Sequence, residues 1–189
     1  KLDPKESLLN YAFIISNVTI SNILLSKKFV DVNCKFYQKS NLTCQKVAKT
    51  ALLQAVNYDD IGKIDLIINH PDFDKEKSLY KSAIELSITK KKNHCFRKLI
   101  ELLSAKELNE LKINGKGIIY LLFDYRNDEL LEELLRNEEF LISDDEVIEL
   151  LFNLLNINNK SYQLLSILVD YDKKHNNVID YNGYSFLTS

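Results

Sequence analysis

Apolar residues recur along the chain at positions i, i+3 and i+4, the spacing of one face of a helix. The clearest triad is Ile64, Ile67 and Ile68, and four further triads follow or precede it in steps of 44, 32, 35 and 33 residues. The five triads are Ile20/Ile23/Leu24, Ile64/Ile67/Ile68, Phe96/Leu99/Ile100, Leu131/Leu134/Leu135 and Leu164/Ile167/Leu168. The pattern therefore predicts five related helices.

A second apolar pattern recurs along the chain at nearly the same intervals as the first. In each unit two residues at i and i+3 precede the triad, which begins 8 to 10 residues after the second of them. These pairs are Leu9/Ala12, Leu52/Ala55, Ile84/Ser87, Ile118/Leu121 and Leu151/Leu154. The interval leaves room for the end of one helix and a turn, such as the polar segment 57–60. Helices this short cannot bury their apolar faces alone, so we expect the helical pairs to pack against one another.

The period near 33 residues resembles that of the ankyrin repeat family. Thr50-Ala51-Leu52, Ala55-Val56 and Leu66-Ile67-Ile68 are similar to the motif residues of that family. The exit segments Lys28–Asn33 and His70–Asp74 resemble the approach to its hairpin finger, and Val178–Leu187 resembles a finger followed by a new repeat. The resemblance implies an all-α solenoid of about five helix-turn-helix repeats with a partial sixth.

We expect one repeat domain over residues 1–189. Its units are 7–33, 50–80, 81–113, 115–143, 144–180 and a partial unit 181–189, with an insert at 34–43. In the third unit we expect a short helix, Lys106–Lys112, in place of a finger, and Gly115 and Gly117 to break the helix before Ile118. Bulky Leu121 and Leu154 replace the small residue of the family pattern, so a HEAT-like α-solenoid is the alternative for the C-terminal half.

Composition supports a helical chain and excludes some partners. Hydrophobic residues make up 46% of the sequence, with only 4 Gly and 2 Pro, which favours helices over sheets. The 25 basic and 27 acidic residues give a net charge of −2, whereas phosphate binding needs a concentrated basic surface. Nucleic acid is therefore not the expected partner. No apolar run has the length needed to cross a bilayer. The chain begins at Lys1 and ends within a repeat-like segment, so we interpret it as a piece of a longer protein.

The chain has three cysteines, Cys34, Cys44 and Cys95. Their odd number and irregular spacing predict unpaired thiols in a reducing, cytoplasmic compartment. The alternatives are a Cys34–Cys44 disulfide, or a metal site that these cysteines share with His70 or His94.

No pattern of catalytic residues is present. The three histidines do not form a metal-binding H-E-x-x-H motif, and no G-x-S-x-G sequence occurs. Gly115 and Gly117 are not followed by the Gly-Lys-Ser/Thr of a phosphate loop. The sequence thus predicts no enzymatic activity, cofactor or metal.

The resemblance implies a module that binds another protein on the concave surface formed by its first helices and connecting turns. The expected exposed contact residues are Gln54, Asn57, Tyr58, Asp60, Lys90, Lys91, Lys92, Tyr120, Tyr125 and Arg126, with Asn156–Asn159 in the fifth unit. We expect the isolated chain to be monomeric. Two alternatives stay open: a substrate-recruiting arm of a larger enzyme or of an effector delivered to a host cell, and a scaffold that associates with itself.

Overall fold

The computed structural model of the protein describes residues 8–9, 11–13, 17–27, 30–39, 46–156, 162–174, 180–181 and 184–185. The described chain is mostly helical, as predicted, with three short two-stranded ribbons. It forms two compact units, Lys1–Leu102 and Leu103–Ser189. Their boundary falls inside the third predicted repeat.

The first unit contains helices α1 to α6 and one ribbon. Helix α1 is described at residues 8–9 and 11–13. The other elements are α2 (Val18–Leu25), β1 (Phe36–Lys39), β2 (Lys46–Lys49), α3 (Ala51–Asn57), α4 (Ile61–Ile68), α5 (Tyr80–Thr89) and α6 (Asn93–Ile100).

The helices of the first unit pack as successive pairs. Helix α3 contacts α4 and α5, α4 contacts α2 and α6, and α5 contacts α6. The segments 64–68 and 96–100 are therefore both helical and belong to helices in contact. First helices pack on first helices and second helices on second helices, which is the arrangement that the two apolar patterns require.

Contacts at both ends show that α3 and α5 run in the same direction. Near their N-termini the buried Thr50 hydroxyl donates to the Ser78 carbonyl at 2.7 Å, and it also accepts from the Leu53 N–H, which caps α3. Beyond their C-termini the Lys92 ammonium lies 3.5 Å from the Asp59 carboxylate. The two helices thus lie side by side, each ending in a turn beside the other.

Most residues of the two apolar patterns lie in the core. Those of α3 to α6 that are fully buried are Leu52, Ala55, Ile64, Ile67, Ile84, Ser87, Phe96 and Leu99. Helix α2 departs from the prediction. Ile20 and Ile23 are 41% and 53% exposed, and the buried face is Ser21, Leu24 and Leu25. Both sets satisfy the same spacing, but the small Ser21 side chain lets α2 lie close to α4. The predicted triad is therefore wrong by one residue.

Three turns between helices share one backbone conformation. Asp59, Lys91 and Arg126 have positive φ, at 59°, 53° and 53°. The residue after each of them donates its N–H to a carbonyl five positions back, in the hydrogen bonds Asp60–Ala55 (2.9 Å), Lys92–Ser87 (2.7 Å) and Asn127–Leu122 (2.9 Å). This is the hydrogen-bond pattern of a helix end with a left-handed residue. The turns follow one another at intervals of 32 and 35 residues, as the second-helix triads do.

The exit segments of the first two helical pairs are joined by one side chain. The Asn33 amide donates to the Asp72 carbonyl at 2.5 Å and accepts from the Asp74 N–H at 3.0 Å. Beside it, His70 Nδ1 accepts from the Asp72 N–H, so its Nε2 carries the hydrogen that points to the Lys27 carbonyl at 3.3 Å. These bonds hold the exit segment of the first helical pair, which directly precedes β1 in the sequence, against the exit segment of the second pair.

The predicted insert at 34–43 is part of a ribbon. Strands β1 and β2 pair antiparallel, with Phe36 opposite Lys49 and Tyr37 opposite Ala48. Residues 40–43 of the insert lie outside the described part of the chain. The ribbon leads directly into Thr50 and α3.

The second unit contains α7 (Ala105–Glu110), β3 (Lys112–Ile113), β4 (Lys116–Gly117), α8 (Ile118–Asp124), α9 (Asp128–Arg136), α10 (Asp144–Asn156), α11 (Tyr162–Lys174), β5 (Asp180–Tyr181) and β6 (Tyr184–Ser185). Helix α8 packs on α9, and α11 packs on both α9 and α10. Leu121 is buried despite its bulk. The predicted hairpin at 178–187 is paired at its described residues, and residues 186–189 lie outside them.

The expected replacement of a finger by a helix is wrong. Helix α7 forms, but β3 and β4 follow it as a paired ribbon. Asn114 and Gly115 join the strands with φ of 53° and 80°, the positive values that a two-residue hairpin turn requires. The glycine therefore makes a hairpin turn, and α8 begins directly after β4.

Candidate functional site

A groove of about 300 Å³ lies between β2, α3 and α5 in the first unit. Strand β2 contributes Ala48 and Lys49, and α3 contributes Leu53, Gln54 and Asn57. Because Leu53 and Asn57 are four residues apart, they lie on one face of α3. The groove thus follows the side of α3 that does not pack against α4.

Helix α5 forms the other wall with Ser82, Glu85, Leu86 and Thr89. Their spacing of i, i+3, i+4 and i+7 defines one helical face. The opposite face of α5 is buried in the core. These residues were not among the predicted contact residues, although the position of Leu86 could have indicated them: it is an apolar residue on the polar face of an amphipathic helix.

Gln54 lies in the groove wall but is not exposed as predicted. Only 4% of the residue is accessible to solvent. The prediction is wrong because β2 and α5 flank this position of α3, which a helical pattern cannot show. Within the described residues no hydrogen bond joins the Gln54 carboxamide to another group. The carboxamide is not among the described groups that are shut off from solvent without a partner, so it is open to the groove that it lines and available to a molecule there.

Tyr37 stands beside the groove. It lies opposite Ala48 in the ribbon, and opposite residues of an antiparallel pair project from the same face. Tyr37 is 65% exposed, so an aromatic side chain adjoins the β2 side of the groove. It was not among the predicted contact residues.

The turn after α3 brings together several predicted residues, and Asp60 has a structural role there. Asn57 and Tyr58 are exposed. The Asp60 carboxylate caps α4 through the Lys63 N–H at 3.0 Å and lies 2.8 Å from the Lys63 ammonium. Burial opposes ionisation of Asp60, but these bonds and the Lys63 charge outweigh it and lower its pKa.

The three lysines after α5 differ in environment. Lys90 and Lys91 are exposed, whereas Lys92 is half-buried and faces Asp59. Asp59 also accepts a hydrogen bond from the Cys95 thiol at 3.1 Å. Burial, followed by this bond to Asp59, raises the pKa of Cys95 to about 12. This thiol is therefore a packed structural group.

The remaining predicted residues belong to the second unit. Tyr120 is half-buried and donates to the Glu149 carboxylate at 2.7 Å. Burial, followed by this carboxylate, raises the pKa of Tyr120. Tyr125 is 42% exposed, and Arg126 is exposed at the left-handed position of its turn. Asn156 ends α10, and residues 157–159 lie outside the described chain.

Neither a metal site nor a membrane span is found in the part of the chain that the structure describes. No three His, Cys, Asp or Glu side chains are grouped there in a way that could hold a metal ion. No described helix combines the length and the apolar character needed to cross a bilayer. Cys34 and Cys95 are buried, while Cys44 and His175 lie outside the described residues.

Comparisons with protein-family models, with curated proteins and with solved structures give no match. The interpretation of this chain therefore rests on its own residues and geometry.

Proposed function

We propose that the chain is an ankyrin-like stack of helical hairpins that binds another protein. In the first unit the proposed binding residues are those of the groove between β2, α3 and α5 and of the turns that follow α3 and α5, and in the second unit they are those of the turn that follows α8. The repeated turn conformation at Asp59, Lys91 and Arg126 carries this proposal. It supports a common repeating unit in which a first helix, a left-handed turn and a second helix follow one another.

The chemistry of the groove supports binding. Its lining combines the apolar side chains Leu53 and Leu86 with neutral polar side chains such as Asn57, a mixture that is common in binding sites. The surface offers aromatic residues, Tyr37 and Tyr58, which are 65% and 54% exposed. Tyrosine is a frequent anchor in protein interfaces because it combines a large apolar ring with a hydrogen-bonding hydroxyl.

Capture of partners from an extract of the source cell tests the proposal. We expect the combined substitution Tyr58→Ala, Tyr125→Ala and Arg126→Ala to reduce capture of every specific partner at least fivefold, as measured by quantitative mass spectrometry. These side chains are exposed, so the melting temperature should stay within about 3 °C of that of the wild type, given the small effect of surface substitutions.

The matched control changes exposed residues of the same types elsewhere in the chain, Tyr11→Ala with Arg136→Ala. Equal capture by the wild type and the Tyr58/Tyr125/Arg126 variant would reject the turn surface, and the absence of any specific partner would reject the proposed function.

A further inference from the structure

We infer that the groove between β2, α3 and α5 takes a short extended segment of polypeptide. About three residues of it lie in the groove. One of its main-chain peptide groups pairs with the Gln54 carboxamide, and one apolar side chain sits between Leu53 and Leu86. This inference rests on the proposed function and names the kind of partner that the same site recognises.

The Gln54 side chain offers hydrogen bonds to an occupant of the groove. The residue as a whole is 4% exposed and lines the groove. Its carboxamide makes no hydrogen bond to another described residue and is not among the described groups that are shut off from solvent without a partner, so it is open to the groove. A carboxamide presents a carbonyl acceptor and an N–H donor side by side, and a peptide group presents the complementary donor and acceptor. Pairing the two would replace water with a directed pair of hydrogen bonds.

The size of the groove favours an extended occupant over a helical one. Its α5 wall runs from Ser82 to Thr89, which is about 10 Å at the helical rise of 1.5 Å per residue. An extended chain advances about 3.3 Å per residue, so about three residues fit along this wall. A helix with side chains is about 10 Å wide, so a 10 Å length of it fills roughly 800 Å³, more than the groove of about 300 Å³ provides.

The charges in the groove favour a neutral occupant. The lining contains one cationic side chain, Lys49, and one anionic side chain, Glu85. The other polar lining residues, which include Asn57, Ser82 and Thr89, are neutral hydrogen-bonding groups. Phosphate recognition would require an excess of cations, whereas main-chain amides need neutral donors and acceptors beside an apolar contact. Leu53 and Leu86 provide that contact.

Selection from a phage-displayed library of random seven-residue peptides on the complete chain tests the inference. Enriched peptides are synthesised with a fluorophore, and their dissociation constants are measured by fluorescence anisotropy. We expect Gln54→Leu and Leu86→Asp each to weaken binding at least tenfold. The matched control is Leu66→Asp, which makes the same change at a 38% exposed residue of α4 outside the groove, and it should leave binding unchanged. Melting curves establish that all three variants fold.

N-methylation of the peptide distinguishes main-chain pairing from side-chain contact. We expect methylation of one particular peptide nitrogen to weaken binding to the wild type at least tenfold and to have little further effect on Gln54→Leu. A library that enriches no peptide, enriched peptides that bind as helices, or affinities that Gln54→Leu and Leu86→Asp leave unchanged would each overturn the inference. In those cases the proposed function still stands if partner capture depends on Tyr58, Tyr125 and Arg126.

Discussion

At the scale of single residues, the left-handed position of the three described turns at Asp59, Lys91 and Arg126 is occupied by a residue with a side chain. Lys91 has φ of 53°, a conformation that costs most residues about 1 kcal/mol relative to glycine. We predict that Lys91→Gly raises the free energy of unfolding by about 0.5–1 kcal/mol, as measured by urea denaturation.

The neighbouring residue is the control for this prediction. Lys90 caps α5 with φ of −97°, so Lys90→Gly gains nothing from glycine and loses backbone entropy. It should leave stability unchanged or lower it by up to about 1 kcal/mol. If Lys91→Gly is no more stable than Lys90→Gly, the positive φ of Lys91 does not lower the free energy of unfolding of the wild type.

The raised pKa of Cys95 predicts alkaline sensitivity. Burial and the Asp59 carboxylate raise the pKa of this thiol from 9.0 to about 12 in the folded chain. Below pH 9 the thiol is protonated in both states. Between pH 9 and 12 it ionises only in the unfolded state, so the free energy of unfolding should fall as the pH rises. Urea denaturation of the wild type and of Cys95→Ala, at half-unit steps from pH 8 to 11, should show a weaker decline in the variant. Parallel declines would contradict this role of Cys95.

The sequence predicts some of these residue environments and misses others. The turn that contains Asp59 could be predicted because the apolar patterns fix where α3 ends and α4 begins. The burial of Gln54 could not be predicted, because it depends on β2 and α5, which flank it from elsewhere in the chain. A polar residue at that position looks exposed until those neighbours are in place.

At the scale of elements, Thr50 links the start of α3 to the segment before α5. Its hydroxyl donates to the Ser78 carbonyl and accepts from the Leu53 N–H. Thr50→Val preserves the shape of the side chain, but the Ser78 carbonyl and the Leu53 N–H both lose the hydroxyl as a hydrogen-bond partner. We predict a loss of about 1–3 kcal/mol in the free energy of unfolding.

Thr50→Ser is the matched control for the capping bond. It keeps the hydroxyl and removes one methyl group, so it should cost about 1 kcal/mol or less. Chemical denaturation of both variants measures the difference. If the valine and serine variants are equally stable, the hydroxyl bonds do not hold α3 beside α5.

The helices could be predicted because two apolar patterns that recur at similar intervals leave few alternative assignments of secondary structure. The buried face of α2 could not be predicted. Residues 20/23/24 and residues 21/24/25 satisfy the same spacing, and only contact with α4 selects the second set. The β3–β4 ribbon was missed for another reason. Asn114-Gly115 is a strong local hairpin signal, but its two-residue strands are too short to show an alternating pattern.

At the scale of the whole molecule, charge is nearly balanced both overall and in the groove. The net charge is −2, and the groove carries one charge of each sign. We predict that the dissociation constant of a selected peptide changes by less than about threefold between 50 and 500 mM NaCl, because screening acts on net charge attraction. Anisotropy titrations at four salt concentrations measure this. A tenfold weakening at high salt would show that charge attraction dominates binding instead.

The hydrogen bonds of the Asn33 side chain bear on where this chain can accept an insertion. On one side of the β1–β2 ribbon, Asn33 fastens the exit segment of the first helical pair to that of the second. On the other side, Thr50 anchors the start of α3. The ribbon is thus bracketed by two fixed points. A flexible insertion between them adds little cost, because each doubling of loop length raises the closure free energy by only about 0.6 kcal/mol. A foreign recognition sequence grafted between Lys39 and Lys46 would therefore be carried by the ribbon while the bonds of Asn33 and Thr50 on either side of it are kept.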